Sequence, residues 1–332
     1  AAENGKEVVT IVELRARFDE QNNIDWSKKL EDAGCTVIYG LDDYKVHSKL
    51  TLITRRAGGR YFYTTQIGTG NYNEKTSEQY TDLSYVTTNQ EIGEEAAVVF
   101  NNLAVERLTD GTDHLIVAPL HFKSVLLKEM DAEIEKARLG KPARIVLKNN
   151  SISDKNIIEK LEEASQAGVP TDMIVRGICC VQAGIPGCTD NLRIRSIVGR
   201  YLEHSRIYAF GEGEELRIYM ASGDFLTRNT ERRVEVGIRV DDPTIAKQLW
   251  DILQLQLADN VNAREMRPDG SYAKVKPAPG EALVDSQMAL YSYFKNGFVT
   301  TAPAPRPAEA APDDKKPHGR LLGRLRGLLR RK

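Results

Sequence analysis

The chain predicts an α/β protein built from two similar halves. Runs of β-branched residues alternate with amphipathic segments of helical length, the rhythm of strand–helix–strand units. A histidine–serine–cation strand, followed by a glycine turn, a second strand and a small-residue loop, occurs twice. Bulk composition agrees. The 332 residues are 41% hydrophobic and 28% charged, which suits about two soluble domains that each bury a core. The formal net charge of −1 means that any basic surface is local.

In the first half, 8–14 is β-branched and predicts a buried parallel strand. It ends at Arg15 and Arg17, where open α/β sheets bind ligands, although pairing with Glu13 and Asp19 on the surface would also account for them. Residues 21–33 predict a helix closed by Gly34, and 35–39 the next strand. Val46, Leu50, Leu52 and Ile53 then predict a mostly buried strand carrying His47. Strand alternation turns His47 and Lys49 to one face. After the turn at Gly58-Gly59, a run from Tyr61 to Ile67 leads into the loop Gly68-Thr69-Gly70-Asn71. An imidazole nucleophile, a fixed cation and loop N–H groups together suit phosphate chemistry. A core histidine beside a surface lysine is the plainer alternative. Tyr80 and Asp82 start a short strand, and Asp82 could hold magnesium or cap the local backbone. Residues 89–104 predict an amphipathic helix, and the polar stretch 109–113 ends a first domain at 1–112.

The second domain, 113–300, opens with strand 115–118 and a helix over 121–138. Strand 144–148, helix 154–167 and strand 171–175 follow, with Arg176 at the strand end. A strand over 197–210 carries Glu203-His204-Ser205-Arg206, and after the turn at 211–215 a further strand reaches Ser222-Gly223-Asp224. His47 thus pairs with His204, Lys49 with Arg206, and Asn71 with Asp224, as two half-sites able to close one active site across a pseudo-twofold axis. Arg193, Arg195, Arg200, Arg228, Arg232 and Arg233 add positive charge nearby, and guanidinium forks bind phosphate oxygens bidentately. Residues 233–240 predict one alternating strand; 243–258 and 281–294 predict helices.

Residues 301–319 are rich in Pro and Ala and predict a disordered linker. In 319–332, leucines fall on one helical face and arginines opposite. That tail suits contact with an anionic membrane, nucleic acid or an anionic product, or a passive solubilising role. No apolar run reaches transmembrane length, and the four cysteines lack the spacing of a zinc set or a disulfide framework. A cytoplasmic protein with reduced thiols is expected. The first residues suggest a piece of something longer. His114, His121 and His318 receive no role.

The chain resembles the carboxyl-terminal half of the bacterial polyphosphate kinases, which use ATP to polymerise phosphate. The resemblance runs from residue 1 to about 298. In the first half it rests on Val12-Glu13-Leu14 through Arg17-Phe18-Asp19, on Val46-His47-Ser48-Lys49 and on Gly68 to Asn73. In the second it rests on Val175 to Cys179, Arg195 to Val198, Tyr201 to His204 and Thr227-Arg228-Asn229. That family's two carboxyl-terminal domains are phospholipase D-like, with the signature His-x-Lys-x4-Asp. Here Thr54 and Gly211 stand at the Asp positions and Arg206 replaces the second Lys, departures that favour the kinase.

The resemblance implies that His47 becomes phosphorylated and that Arg17 serves a magnesium and phosphate site. It implies nucleotide-phosphate contacts from Tyr80, Arg176 and His204, with Asp82 a lesser candidate for magnesium. Lys49, Asn71 and Arg206 are the further phosphate candidates. ATP or ADP and polyphosphate are the expected partners, Mg2+ the cofactor, and a homo-oligomer the expected state of the whole protein, which adds amino-terminal and head domains. Two alternatives stay open: a phosphodiesterase of the phospholipase D type, and a non-catalytic polyanion-binding fragment.

Overall fold

The structure, a computed structural model, describes residues 1–14 and 20–296. Arg15, Arg17, the linker at 301–319 and the tail at 319–332 lie outside the described residues.

The architecture is α/β, as the sequence predicts. Nine strands form one mixed sheet, in the order 272–274, 263–266, 192–197, 171–175, 145–149, 206–210, 217–221, 236–239 and 115–117. Strands Leu192–Ile197, Thr171–Val175 and Ile145–Asn149 run parallel; the other neighbours are antiparallel. The central strands are buried on both faces because helices cover both. Ile145, Leu147, Tyr208 and Phe210 point into one core with the helices Phe122–Arg138 and Lys155–Gln166. Val146, Ile207 and Ala209 point into the other, against Gln90–Ala104 and Pro243–Leu257. Each of these helices except Phe122–Arg138 starts at an Asn or Asp whose carboxyl or amide oxygen accepts from an N–H of the first turn.

The first half is smaller. Val9–Ile11 pairs parallel with Thr36–Ile38, and Lys49–Ala57, Arg60–Gly68 and Ser84–Thr87 form an antiparallel sheet. Ile67, Leu50 and Leu52 from that sheet enter the second core, so the halves share apolar packing.

Four expectations need correction. The strand predicted to carry His47 is interrupted: Lys45–Val46 and Lys49–Ala57 are separate strands, with His47 and Ser48 between them. The same break places His204 and Ser205 between Leu202–Glu203 and Arg206–Phe210. The cause is a change of partner. Lys45–Val46 pairs with Arg233–Val234 of the other half, and the next strand pairs with its own hairpin. Residues 233–240 break at Glu235 for the matching reason, since Arg233–Val234 and Val236–Arg239 lie in different sheets. The hairpin strand is also not mostly buried: it shows one face to solvent, and Ile53 is 62% exposed. Finally, the strands Ala263–Met266 and Tyr272–Lys274 went unpredicted, being short and polar.

Candidate active site

The break at His47 lets the other half grip it. Its backbone N–H donates to Val234 O at 2.9 Å, and the residue after Val234, Glu235, reaches the ring, with Oε2 2.9 Å from Nδ1. Glu235 is fully buried and accepts from the Ser222 hydroxyl (2.6 Å) and Asn229 Nδ2 (2.7 Å). Burial alone would raise its carboxyl, but His47, Lys49 and Ser222 bring it down to about 2. Burial also lowers His47 below 6.5; Glu235 opposes that shift and Lys49 adds to it. Lys49 is itself pushed down to about 7, chiefly by burial, and its ammonium donates to the His47 carbonyl. A carboxylate can only accept, so neutral His47 carries its proton on Nδ1 and leaves the Nε2 lone pair free.

His204 is built the same way with the halves exchanged. Leu202–Glu203 pairs with Tyr80–Thr81 of the first half, and the next residue, Asp82, places its oxygens 2.8 and 3.0 Å from His204 Nδ1. The Thr69 hydroxyl donates to Asp82 Oδ1 at 2.7 Å, the counterpart of Ser222 on Glu235. Thr69 and Leu83 exchange backbone and hydroxyl bonds as Ser222 and Val236 do. Asp82 packs directly on Gly70, where a Cβ would stand 2.2 Å from its Oδ2. Asp82 therefore orients a histidine. Among the described residues, no group of three His, Cys, Asp or Glu side chains could hold a metal ion.

The cations differ. Arg206 is buried, donates to Asp224 (Nη2, 3.0 Å) and Thr69 O (Nη1, 3.3 Å), and sets Nη1 3.3 Å from His204 Nε2. Tyr80 lies tilted on the His204 ring at 5.0 Å between centroids. Burial lowers His204 below 6.5; Asp82 opposes the shift, while Arg206 and Arg176 strengthen it. Arg206 also acts on His47 and Lys49, and Asp82 on Lys49, so both histidines belong to one charge cluster. Arg176 is half-buried, and its Nε–H donates to Asn150 Oδ1 at 2.6 Å. Asn71 is exposed at the loop mouth. Arg17 lies outside the described residues.

Sequence reasoning missed Glu235 as a site residue, along with the buried shell behind His204. In that shell the Lys148 ammonium donates to Ser205 O (2.8 Å) and Oγ (2.9 Å) and stands 3.2 Å from Glu203. A signal for Glu235 existed. Asp82 stands eleven residues beyond Asn71, and Glu235 eleven beyond Asp224.

Comparison with known proteins bears on the family. "Polyphosphate kinase C-terminal domain 1" matches residues 1–108, and "Polyphosphate kinase C-terminal domain 2" matches 115–287. A polyphosphate kinase of Bacillus anthracis is 46% identical over 301 residues, 91% of this chain and 42% of that protein. One from Thermosynechococcus vestitus is 46% identical over 282 residues, 85% of this chain and 38% of that protein. The chain thus spans about two-fifths of the length of these curated relatives. The crystal structure of polyphosphate kinase from Porphyromonas gingivalis superposes with a TM-score of 0.82 at 35% identity, over 89% of this chain and 45% of that one. With both halves matched in order, the chain belongs to the polyphosphate kinase family.

Proposed function

We propose that this chain carries the chemical centre of a reversible phosphoryl transfer from ATP to the end of a polyphosphate chain, through a phosphohistidine at His47. The observation that carries this reading is the His47–Glu235 pair: a neutral imidazole, its Nδ1–H on a buried carboxylate and its Nε2 free, beside Lys49. The Nε2 lone pair attacks the γ-phosphorus of ATP, the bond to the β,γ-bridging oxygen breaks, and ADP leaves. The phosphorylated ring is cationic, and the Glu235 carboxylate against its Nδ1–H stabilises that charge. A terminal polyphosphate oxygen then attacks the same phosphorus, the P–N bond breaks, and neutral His47 returns. His204 serves the departing phosphate oxygen as the imidazolium, giving its Nε2–H to that oxygen while its Nδ1–H stays on Asp82. Lys49 and Arg176 offset charge on the transferring group, and Tyr80, Arg176 and His204 contact the nucleotide phosphates.

Magnesium is expected with ATP, as part of the substrate. Among the described residues no group of three His, Cys, Asp or Glu side chains could hold an ion, and both Asp82 oxygens face His204, so Asp82 is spoken for by that ring. No step above runs through a metal. The whole protein is expected to be a homo-oligomer, and residues 319–332 to touch an anionic membrane or polyanion. Among the described residues, no helix is long and apolar enough to cross a membrane.

The test is acid-labile labelling by γ-labelled ATP. Label should appear on the wild-type chain and vanish in His47→Ala; label surviving that change removes His47 from its role. Multiple turnovers of ADP that depend on polyphosphate support the kinase, whereas hydrolysis of a phosphodiester supports the diesterase reading.

A further inference from the structure

Asn150 follows the central strand Ile145–Asn149, is buried, and uses all four of its polar groups. Its backbone N–H donates to Asp224 Oδ1 at 2.6 Å, and Asp224 in turn holds Arg206. Its side-chain Nδ2 donates to the His204 carbonyl at 3.2 Å. Its Oδ1 accepts from Arg176 Nε, and its carbonyl accepts from Gly177 N–H at 2.8 Å. Gly177 must be glycine for that approach, because a Cβ there would stand 2.8 Å from the Asn150 carbonyl. One residue therefore ties together Arg176, His204 and the support of Arg206.

The chemistry of that tie matters. Burial is the chief cost to the Arg176 charge and repulsion from Arg206 adds to it, while Asp224 and Glu203 offset part of both without bonding to it. A carboxylate would be the usual remedy, but among the described residues Arg176 makes no ion pair and is held by a neutral amide. An uncharged amide accepts from a guanidinium at its oxygen and donates to a carbonyl at its nitrogen, whereas an ionised Asp can only accept. We infer that Asn150 is a positioning residue: it fixes Arg176 and His204 relative to each other while keeping carboxylates off the Arg176 guanidinium, so that it can bond an incoming phosphate. This rests on the phosphate-site reading above.

The experiment is a double-mutant cycle on this chain, with Asn150→Ala and Arg176→Ala singly and together. Binding of ATP and of inorganic tripolyphosphate is measured by calorimetry. Arg176→Ala should weaken ATP binding about tenfold, Asn150→Ala by nearly as much, and the double variant no more than Arg176→Ala alone. Losses that multiply to about a hundredfold would overturn the inference, because Asn150 would then act independently of Arg176. Asn150→Asp, close in volume, covers the case in which the alanine variant fails to fold. It pairs Arg176 with a carboxylate and should also weaken tripolyphosphate binding, and unchanged or tighter binding overturns the inference. A wild-type chain that binds neither anion defeats the phosphate-site reading itself, and the inference with it; binding with multiplying losses defeats only the inference.

Discussion

The two histidine sites share one plan and differ in their cations. In each, a two-residue strand crosses to the other half, and the residue after its partner strand is a carboxylate that holds Nδ1. At His47 the cation, Lys49, turns to the carbonyl of the histidine itself. At His204 the cation, Arg206, lies on the ring beside Nε2 and is paired with Asp224. Arg206 Nη1 stands 3.3 Å from Nε2 and 3.4 Å from Nδ1 of His204, so a fixed positive charge lies over that ring, whereas the Lys49 ammonium is turned away from the His47 ring. On the proposed reading, the duplicated scaffolding becomes a division of labour: one ring attacks, the other attends the oxygen that departs.

The sharpest way to break this comparison is to neutralise each carboxylate in turn. Glu235→Gln leaves His47 without the charge that stabilises its phosphorylated form, and it disturbs the bonds from Ser222 and Asn229. The single-turnover rate of label formation should fall by about 10³-fold. Asp82→Asn disturbs the assisting ring and the bond from Thr69, and should cost about 10²-fold. If Asp82→Asn proves the more damaging, the nucleophile sits in the other half.

The pH profile sharpens the same assignment. Attack needs neutral His47, whose pKa lies below 6.5, so the rate should rise with pH along a limb centred below that value. Lys49 titrates at about 7 and loses its charge above that, which should weaken attraction for phosphate and bend the profile down again. Lys49→Arg keeps the charge into the alkaline range and should remove the descending limb alone, as rate measurements across pH 5 to 9 would show. A descending limb that persists in that variant clears Lys49 of responsibility.

Much of this site was legible in the chain because its chemistry is local. The pairs His47–Lys49 and His204–Arg206 lie within three residues, and the Gly68-Thr69-Gly70 and Ser222-Gly223 loops stand out by composition. The α/β class was legible through the buried β-branched runs. The strand breaks at the histidines were not, because they depend on pairing with the opposite half, which no local propensity records. Glu235 was read as a strand residue, since its partner His47 lies in the other half of the chain. Asp82 looked available to a metal because nothing nearby in sequence reveals that His204 takes both its oxygens. Lys148 and Asn150 read as an ordinary strand end, although alternation along one strand turns both toward His204 and Ser205.

The halves also separate through their glycines, where one variant is expected to change the rate least of all. Gly70 and Gly223 occupy equivalent positions, each twelve residues before its carboxylate. At Gly70 an added methyl would meet Asp82 Oδ2 at 2.2 Å, so the carboxylate must move and its bond to His204 is lost. At Gly223 the nearest atoms are Glu235 Cβ, Cγ and Phe122 Cζ, all at 3.2 Å, and a shift of a few tenths of an ångström accommodates the change. Gly70→Ala should therefore destabilise the fold by about 2 kcal/mol and repeat the Asp82→Asn loss of rate. Gly223→Ala should cost about 1 kcal/mol and leave label formation within a few-fold of wild type, because the Glu235 carboxylate keeps its bonds. Thermal unfolding and single-turnover labelling of the two variants give both quantities. If Gly223→Ala is as slow as Gly70→Ala, the two carboxylates are equally sensitive to crowding and the asymmetry of the halves rests on their cations alone.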